Sequence, residues 1–351
     1  MTQLQSARGG PVTPELARVA RRGNLAAGRF ARFGLTLLCV TPAIALGAPP
    51  AAIDFWNQQR RGANLFDAVE TRTRLEAAAK MGIEFVRIAP DKWKAAGRDF
   101  LIGNADDYRG IPEADLAQLR AVLDEAHAAG LKVVLTCLSL PGARWKQHNG
   151  DDNDLRLWRD FRYHQQSAAF WRDLAKALRG HPALVGFNPL NEPRPEAMVR
   201  PPLASWQVAE WHKSVADTPA DINRFYAVVC KAIRDVDPDT PIIVDASFDA
   251  TVPGFAALRP VPVRHVLYAA HMYDPFELTC FRENQNRFSF PGPMAGGEGP
   301  SVRVDREWLA GWLAPLASWA GRNQVPPTRI LVGEFGCDRR VRARTSIFPI
   351  W

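Results

Sequence analysis

The chain has 351 residues, of which 47% are hydrophobic, and this length and composition indicate a folded globular protein rather than a disordered one. Its formal net charge of +7 is concentrated at one end, because residues 1–48 contain six arginines and a single acid, Glu15, which together account for +5. The remaining 303 residues carry only +2 of that charge. The charge therefore does not indicate a nucleic-acid-binding protein.

The arginine-rich amino-terminal segment is followed by a short apolar stretch at 35–40 and, after Pro42, by small and apolar residues up to Ala48. This order is typical of a secretory signal peptide, so we predict that residues 1–48 are a signal with a long basic n-region and that the protein is secreted or periplasmic. The apolar stretch is short for a membrane span. There are two alternatives. The signal could remain uncleaved and tether the protein to a membrane, or the first residue of the chain could be incorrectly assigned.

Four cysteines follow the predicted signal, without a Cys-x-x-Cys pair or a zinc-type spacing: Cys137, Cys230, Cys280 and Cys337. In an oxidising compartment they could form one or two disulfides. Buried free thiols are an equally good interpretation.

Short apolar stretches typical of buried strands recur along the rest of the chain, at 61–66, 84–89, 131–138, 183–191, 241–246, 266–272 and 330–335. Helical patterns lie between them, at 71–81, 112–129, 157–178, 218–236 and 306–321, whereas 273–300 is predicted to be a long loop. This alternation predicts a parallel sheet with crossover helices, and seven such units favour a TIM (β/α)8-type barrel. No Gly-x-Gly-x-x-Gly follows the first strand, which disfavours a dinucleotide-binding fold. No linker divides the body, so 49–351 is predicted to be one barrel domain.

Polar residues follow the apolar stretches where the predicted strands end. Asn191 and Glu192 precede Pro193, which opposes both a helix start and further strand pairing, and Glu334 ends the last strand. Other strand ends offer a further set of polar groups: Arg87, Ser139, Asp245, His271 and Tyr273. A single carboxylate at a strand end is more often a cap or an ion-pair partner. Several such ends on one barrel indicate an active site, because barrels keep their chemistry at the carboxyl ends of their strands.

Two carboxylates in one cleft suit the cleavage of a glycosidic bond, in which one is ionised and the other is protonated. Arg87 is a natural partner for the ionised carboxylate, because a nearby cation favours the charged form. Several tryptophans in or beside the loops on that side could stack on sugar rings or simply pack between helix and barrel: Trp93, Trp145, Trp158, Trp206 and Trp211.

From about residue 61 to 336, the chain resembles the family 5 glycoside hydrolases, which are cellulase-like retaining enzymes with glutamates at the ends of strands four and seven. The resemblance is carried by an ordered set of motifs: Arg-Gly-Ala-Asn-Leu at 61–65, Val-Arg-Ile at 86–88, Asn-Glu-Pro at 191–193, His-Met-Tyr-Asp-Pro at 271–275 and Gly-Glu-Phe-Gly at 333–336. It implies that Glu192 is the acid/base, that Glu334 is the nucleophile, and that Arg87 orients Glu334 and keeps it ionised.

The same resemblance implies that Asn191 holds the sugar 2-hydroxyl, that Tyr273 hydrogen-bonds the nucleophile, and that His271 lines the cleft between the carboxylates. It implies no metal and no organic cofactor, a polysaccharide or oligosaccharide substrate, and a monomer. Serine and zinc hydrolases are disfavoured, because neither Gly-x-Ser-x-Gly nor His-Glu-x-x-His occurs. The sequence does not distinguish cellulose, mannan, xyloglucan and β-1,3-glucan.

The chain departs from the family pattern in two places. The end of the third strand, at 136–142, lacks the histidine that the family usually carries there, and His148 in the following loop is the nearest candidate to replace it. Only 17 residues follow Glu334, so we expect the eighth βα unit to be missing, together with its tryptophan that forms the floor of the sugar site. The alternative function is therefore a truncated, catalytically impaired barrel that at most binds sugar.

Overall fold

A computed structural model describes residues 51–66, 70–93, 97–296 and 299–342 of the chain. Its main sheet has seven parallel strands, hydrogen-bonded in the order in which they are named here: β1 (Gly62–Leu65), β2 (Phe85–Ile88), β3 (Lys132–Thr136), β4 (Leu184–Asn188), β5 (Ile242–Asp245), β6 (Val266–Met272) and β9 (Ile330–Phe335). The predicted parallel α/β barrel is confirmed. Within the described residues β1 and β9 do not pair with each other. The predicted signal at 1–48 lies outside these residues.

Helices connect the strands, as the alternation in the sequence predicts. They are α1 (Thr71–Lys80), α2 (Glu113–Ala128), α3 (Phe161–Leu178), α4 (Val208–Ser214), α5 (Ile222–Val236), α6 (Ser247–Ala250), α7 (Phe276–Thr279), α8 (Phe281–Asn284) and α9 (Arg306–Arg322). None of the helices in the described part of the chain is long and apolar enough to cross a bilayer.

Several predicted boundaries are wrong, and each has a local reason. The strand predicted at 183–191 ends at Asn188, because Pro189 follows and the chain then turns so that the Asn191 amide donates to the Cys137 carbonyl at 2.8 Å. The helix predicted to begin at 218 begins at Ile222, since the Asp221 side chain caps it by accepting from the amides of Asn223 and Arg224.

The segment predicted as a loop at 273–300 contains regular structure. It holds the one-turn helices α7 and α8 and much of an antiparallel hairpin, which is formed by β7 (Gly292–Gly296) and β8 (Gly299–Val304). Met294 and Val304 of the hairpin are buried and pack on Leu309 of α9.

A short 3-10 helix, Ala52–Asn57, has no counterpart in the sequence prediction. Its Trp56 is 4% exposed, packs in one cluster with side chains of β2 to β6, and donates from Nε1 to the Val185 carbonyl at 2.8 Å. Arg329, just before β9, donates to the Asn57 side chain at 2.9 Å. This helix therefore covers the amino ends of the strands and connects the segment before β1 to the segment before β9.

We expect Trp56→Ala to lower the free energy of unfolding by about 3 to 5 kcal/mol, because it removes a fully packed indole and its hydrogen bond. The matched control is Trp206→Ala, since Trp206 is 79% exposed and its removal should cost less than about 0.5 kcal/mol. Denaturant-induced unfolding followed by circular dichroism measures both. Equal effects of the two substitutions would show that the helix does not contribute to the core.

Candidate active site

Arg87 on β2 lies at the centre of the site and is 2% exposed. Its Nη1 donates to Glu334 Oε1 at 2.6 Å, so the guanidinium connects β2 to β9 across the barrel interior. Its Nη2 donates to the side-chain oxygens of Asn188 at 2.7 Å and Asn191 at 2.6 Å. The barrel thus supplies a buried cation with acceptors from several strand ends, as a buried charge requires.

Asn188 and Thr136 support this arrangement, and the sequence reasoning missed both. Thr136 Oγ1 donates to Asn188 Oδ1 at 2.6 Å, and Asn188 Nδ2 donates to Asp245 Oδ1 at 3.0 Å. Asp245, which the sequence placed at a strand end without a role, is 1% exposed and lies 3.6 Å from Arg87. Burial raises the pKa of Asp245, and the neighbouring His271 and Arg87 oppose that rise. The available signal was a polar side chain directly before Pro189 at the end of an apolar run.

Glu192 leaves the barrel on a tight turn after β4. Its backbone φ of 47° is left-handed, which is uncommon for a residue other than glycine. The amide of Glu192 donates to Asp245 Oδ2 at 3.2 Å, and its carboxylate Oε1 lies 2.8 Å from His271 Nδ1. The side chain of Glu192 is 25% exposed, so it faces the open side of the site.

Glu334 has more hydrogen-bond donors around its carboxylate than Glu192 and is less exposed. It is 9% exposed, and while Oε1 accepts from Arg87, Oε2 accepts from the Tyr273 hydroxyl at 2.9 Å. Burial raises the pKa of Tyr273, and the adjacent Glu334 carboxylate adds to the rise, so this hydroxyl remains a proton donor at neutral pH.

His271 lies between the two glutamates and is 1% exposed. Its Nε2 is 3.5 Å from Asp245 Oδ2, and its Nδ1 is 4.0 Å from Glu334 Oε1. Burial opposes protonation of the ring, but the charge of Asp245, the contact with Glu192 and the charge of Glu334 outweigh it, and the pKa of His271 is raised. Gly333 makes room for the ring, since a Cβ at that position would lie 3.0 Å from His271 Nε2.

One carboxylate oxygen of Glu192, one of Glu334 and one ring nitrogen of His271 all lie within 4.8 Å of one another. Such a group could in geometric terms accept a cation. A metal would compete there with the Arg87 guanidinium, which is 2.6 Å from Glu334. The sequence expectation of a site without metal or cofactor stays a prediction.

The end of β3 differs from the family pattern as the sequence indicated. Leu138, the second residue after β3, donates from its amide to the Asp91 carboxylate at 3.0 and 3.1 Å. His148 does not take the place of a strand-end histidine, but instead lines a cleft of about 820 Å³ between the loops that follow β2 and β3, together with Trp93 and Arg144.

The five tryptophans suggested as sugar platforms have different surroundings. Trp93 and Trp158 are each 4% exposed, and Trp158 packs on Phe225, so these two serve packing. Trp206 is 79% exposed on the loop between β4 and β5 and offers an open aromatic face. Trp145 and Trp211 are half-buried.

The sequence model of the cellulase family, glycosyl hydrolase family 5, matches residues 55–346. No curated protein sequence matches the chain. Among solved structures, an endoglucanase has a TM-score of 0.56 at 21% identity, with 84% of each chain covered.

Endoglucanase Cel5A from the hyperthermophilic Thermotoga maritima has a TM-score of 0.57 at 18% identity, over 84% of this chain and 85% of that chain. The cellulose synthase subunit Z from Clostridioides difficile has a TM-score of 0.57 at 17% identity, over 82% and 85%. At these identities the structures show a shared fold, whereas the family match covers most of the chain. The chain therefore belongs to glycosyl hydrolase family 5, and the protein is a glycoside hydrolase.

Proposed function

We propose that the protein is a secreted retaining hydrolase of the cellulase or endoglucanase type, which cleaves O-glycosidic bonds in a β-linked polysaccharide by double displacement. The observation that carries this proposal is the approach of Glu192 and Glu334, whose carboxylates have oxygens within 4.8 Å. Retaining enzymes place the two carboxyl groups roughly 5–5.5 Å apart, whereas inverting enzymes leave roughly 6.5–9.5 Å for a water molecule.

Glu334 is the nucleophile in this proposal. Arg87 and Tyr273 each donate to one of its oxygens, which orients the carboxylate for attack. Its oxygen attacks the anomeric carbon as the bond to the leaving oxygen breaks, which forms a glycosyl ester on Glu334. The low exposure of Glu334 excludes bulk water from this step.

Glu192 is the general acid and then the general base. Its greater exposure suits a group that must reach first the leaving oxygen and then the incoming water. The acid gives its proton to the leaving oxygen, and the resulting carboxylate later takes a proton from the water that hydrolyses the ester. His271 Nδ1, 2.8 Å away, keeps the carboxyl group in place.

Asn191 is suited to bind the sugar. Its Oδ1 accepts from Arg87 at 2.6 Å, which leaves the amide nitrogen free to donate to the 2-hydroxyl, as the family resemblance implies. The open face of Trp206 and the cleft beside His148 could contact further sugar units of a polymer. Among β-linked polymers we propose a β-glucan first, because similar folds include endoglucanases.

The second candidate is a barrel that binds sugar without cleaving it. The observation in its favour is that β1 and β9 are not paired with each other in the described part of the chain, and that Val332 and Phe335 on β9 are 41% and 45% exposed. New reducing ends measured on a panel of soluble β-glycans, with binding measured in parallel, separate the two functions. Export by residues 1–48 is tested by sequencing the amino terminus of the protein recovered outside the cytoplasm.

We expect Glu334→Gln to abolish turnover, since the amide cannot form the glycosyl ester. Glu192→Ala should slow phenyl glycosides by about 10²- to 10⁴-fold and spare dinitrophenyl glycosides, which need little protonation. Azide should then accelerate Glu192→Ala on the activated substrate by attacking the ester. Equal losses on both substrates without azide rescue would show that Glu192 is not the acid/base.

Removing the donor that contacts Glu334 Oε1 at 2.6 Å should leave the nucleophile poorly oriented, so Arg87→Ala should lower kcat/KM on a dinitrophenyl glycoside by about 10²-fold. Arg87→Lys is the matched control, because it keeps the charge but loses the paired geometry, and it should lose less activity. An Arg87→Ala enzyme with the kcat/KM of the wild type would contradict the role.

We expect Gly333→Ala to displace the His271 ring, because the new Cβ would lie 3.0 Å from Nε2 and 3.1 Å from Cδ2. The ring must move by a few tenths of an ångström to relieve these contacts. Since a misplacement of about 1 Å costs about 10²-fold in rate, this smaller shift should lower kcat/KM by about 10-fold or less. Gly311→Ala in α9 is the control, since nothing lies within 4 Å of its Cβ. If both variants match the wild type in kcat/KM, the position of His271 does not depend on Gly333.

A further inference from the structure

The two loops that frame Glu192 contain strained backbone. Glu192 in the loop after β4 has a φ of 47°. The short element α6 after β5 is a turn rather than a regular helix, because three consecutive non-glycine residues in it have left-handed backbone: Phe248, Asp249 and Ala250, at φ 55°, 60° and 58°. Such conformations persist only where surrounding contacts hold them, and they concentrate at functional sites. The contacts that hold these loops should therefore affect the position of Glu192.

Two of those contacts involve a strained residue directly. The amide of Glu192 donates to Asp245 Oδ2 at 3.2 Å. Arg194 lies 3.2 Å from Asp249, but their side chains are 48% and 41% exposed. Water and salt screen an exposed pair of this kind, so it contributes little to the rigidity of the loops.

The third contact is fully buried, and we name its residues Glu196, His212 and Ser247 the buried triplet. Glu196 Oε1 lies 2.5 Å from His212 Nε2, and Ser247 Oγ lies 3.1 Å from the same nitrogen. The three residues are 3%, 7% and 0% exposed. Glu196 is four residues after Glu192, and Ser247 is two residues after Asp245. The triplet thus joins the two loops through α4.

The triplet does not have the arrangement of a serine nucleophile. In a catalytic triad the serine and the acid bond to different ring nitrogens of the histidine. Here both lie at Nε2, and Nδ1 of His212 has no partner in the described part of the chain. The second oxygen of Glu196 is also without a partner there. A buried histidine–carboxylate contact is shielded from water and salt, so it can hold the two loops together more firmly than the exposed pair of Arg194 and Asp249.

We propose that the buried triplet positions the general acid/base. By fixing the loop after β4 to the turn after β5, it holds the Glu192 carboxyl group at the leaving oxygen of the substrate. Glu196 and His212 are positioning residues, since neither touches the reacting atoms. The proposal rests on the proposed role of Glu192 and adds two residues to it.

The test is the dependence of the rate on the leaving group. A displaced acid slows phenyl β-cellobioside, which needs protonation, far more than 2,4-dinitrophenyl β-cellobioside, which does not. For each variant, the ratio of the two kcat/KM values is measured on one preparation, so that the fraction of folded enzyme cancels. Glu196→Ala breaks the contact without leaving a buried carboxylate unpaired. Its ratio of dinitrophenyl to phenyl rates should rise about 10- to 100-fold.

Two further variants control the result. Glu196→Gln keeps an acceptor for His212 and should return the ratio close to that of the wild type. His181→Gln removes a histidine–carboxylate contact with Asp124 before β4, at the other end of the barrel, and should not change the ratio.

Each remaining outcome decides between the two proposals. An unchanged ratio in Glu196→Ala, beside a raised ratio in Glu192→Ala, would overturn the inference and leave the proposed function intact. An unchanged ratio in Glu192→Ala itself would overturn the assignment of the acid/base, and the inference with it. A wild type that cleaves neither cellobioside would contradict the proposed β-glucan specificity and the inference together.

Discussion

The structure depends on the burial of one cation, the Arg87 guanidinium, inside the barrel. A charge at 2% exposure is tolerated only with partners, and Arg87 has Glu334, Asn188 and Asn191 within 2.7 Å. These partners come from β9, from β4 and from the turn after β4. Their strand ends must therefore meet at one level of the barrel, which is why the polar residues of distant segments share one site.

The groups around Arg87 give the two glutamates different environments. Glu334 is buried and accepts from a cation and a hydroxyl, whereas Glu192 is a quarter exposed and contacts a histidine. Two carboxylates of one residue type can perform different tasks when their environments differ in this way. Asp245 contributes to both environments, because it accepts from the Glu192 amide and lies beside His271 and Arg87.

The sequence predicted the strands that are delimited by abrupt changes in polarity. The bounds of β6 and β9 agree with the prediction, since continuous apolar stretches end there at functional residues. The predicted ends of β3 and β4 lie too far along the chain. Leu138 and Leu190 are buried although they lie in loops, so hydrophobicity does not indicate where strand pairing stops. Short elements whose contacts are distant in sequence, such as Trp56 with Val185, give no periodic signal. The buried contact of Glu196 with His212 is equally invisible, since polar residues acquire such a role only through the fold.

The ion pair between Arg87 and Glu334 also bears on the integrity of the barrel. In the described part of the chain β9 pairs only with β6, where Glu334 is in register with His271. The other side of β9 is connected to the rest of the barrel by side chains: at the amino end Arg329 donates to Asn57, and at the carboxyl end Arg87 donates to Glu334 from β2. The contact that orients the proposed nucleophile therefore also holds an edge strand in place. A substitution that breaks it should loosen β9 as well as alter the carboxylate, and for this reason a variant that keeps the charge at position 87 separates the two effects better than one that removes it.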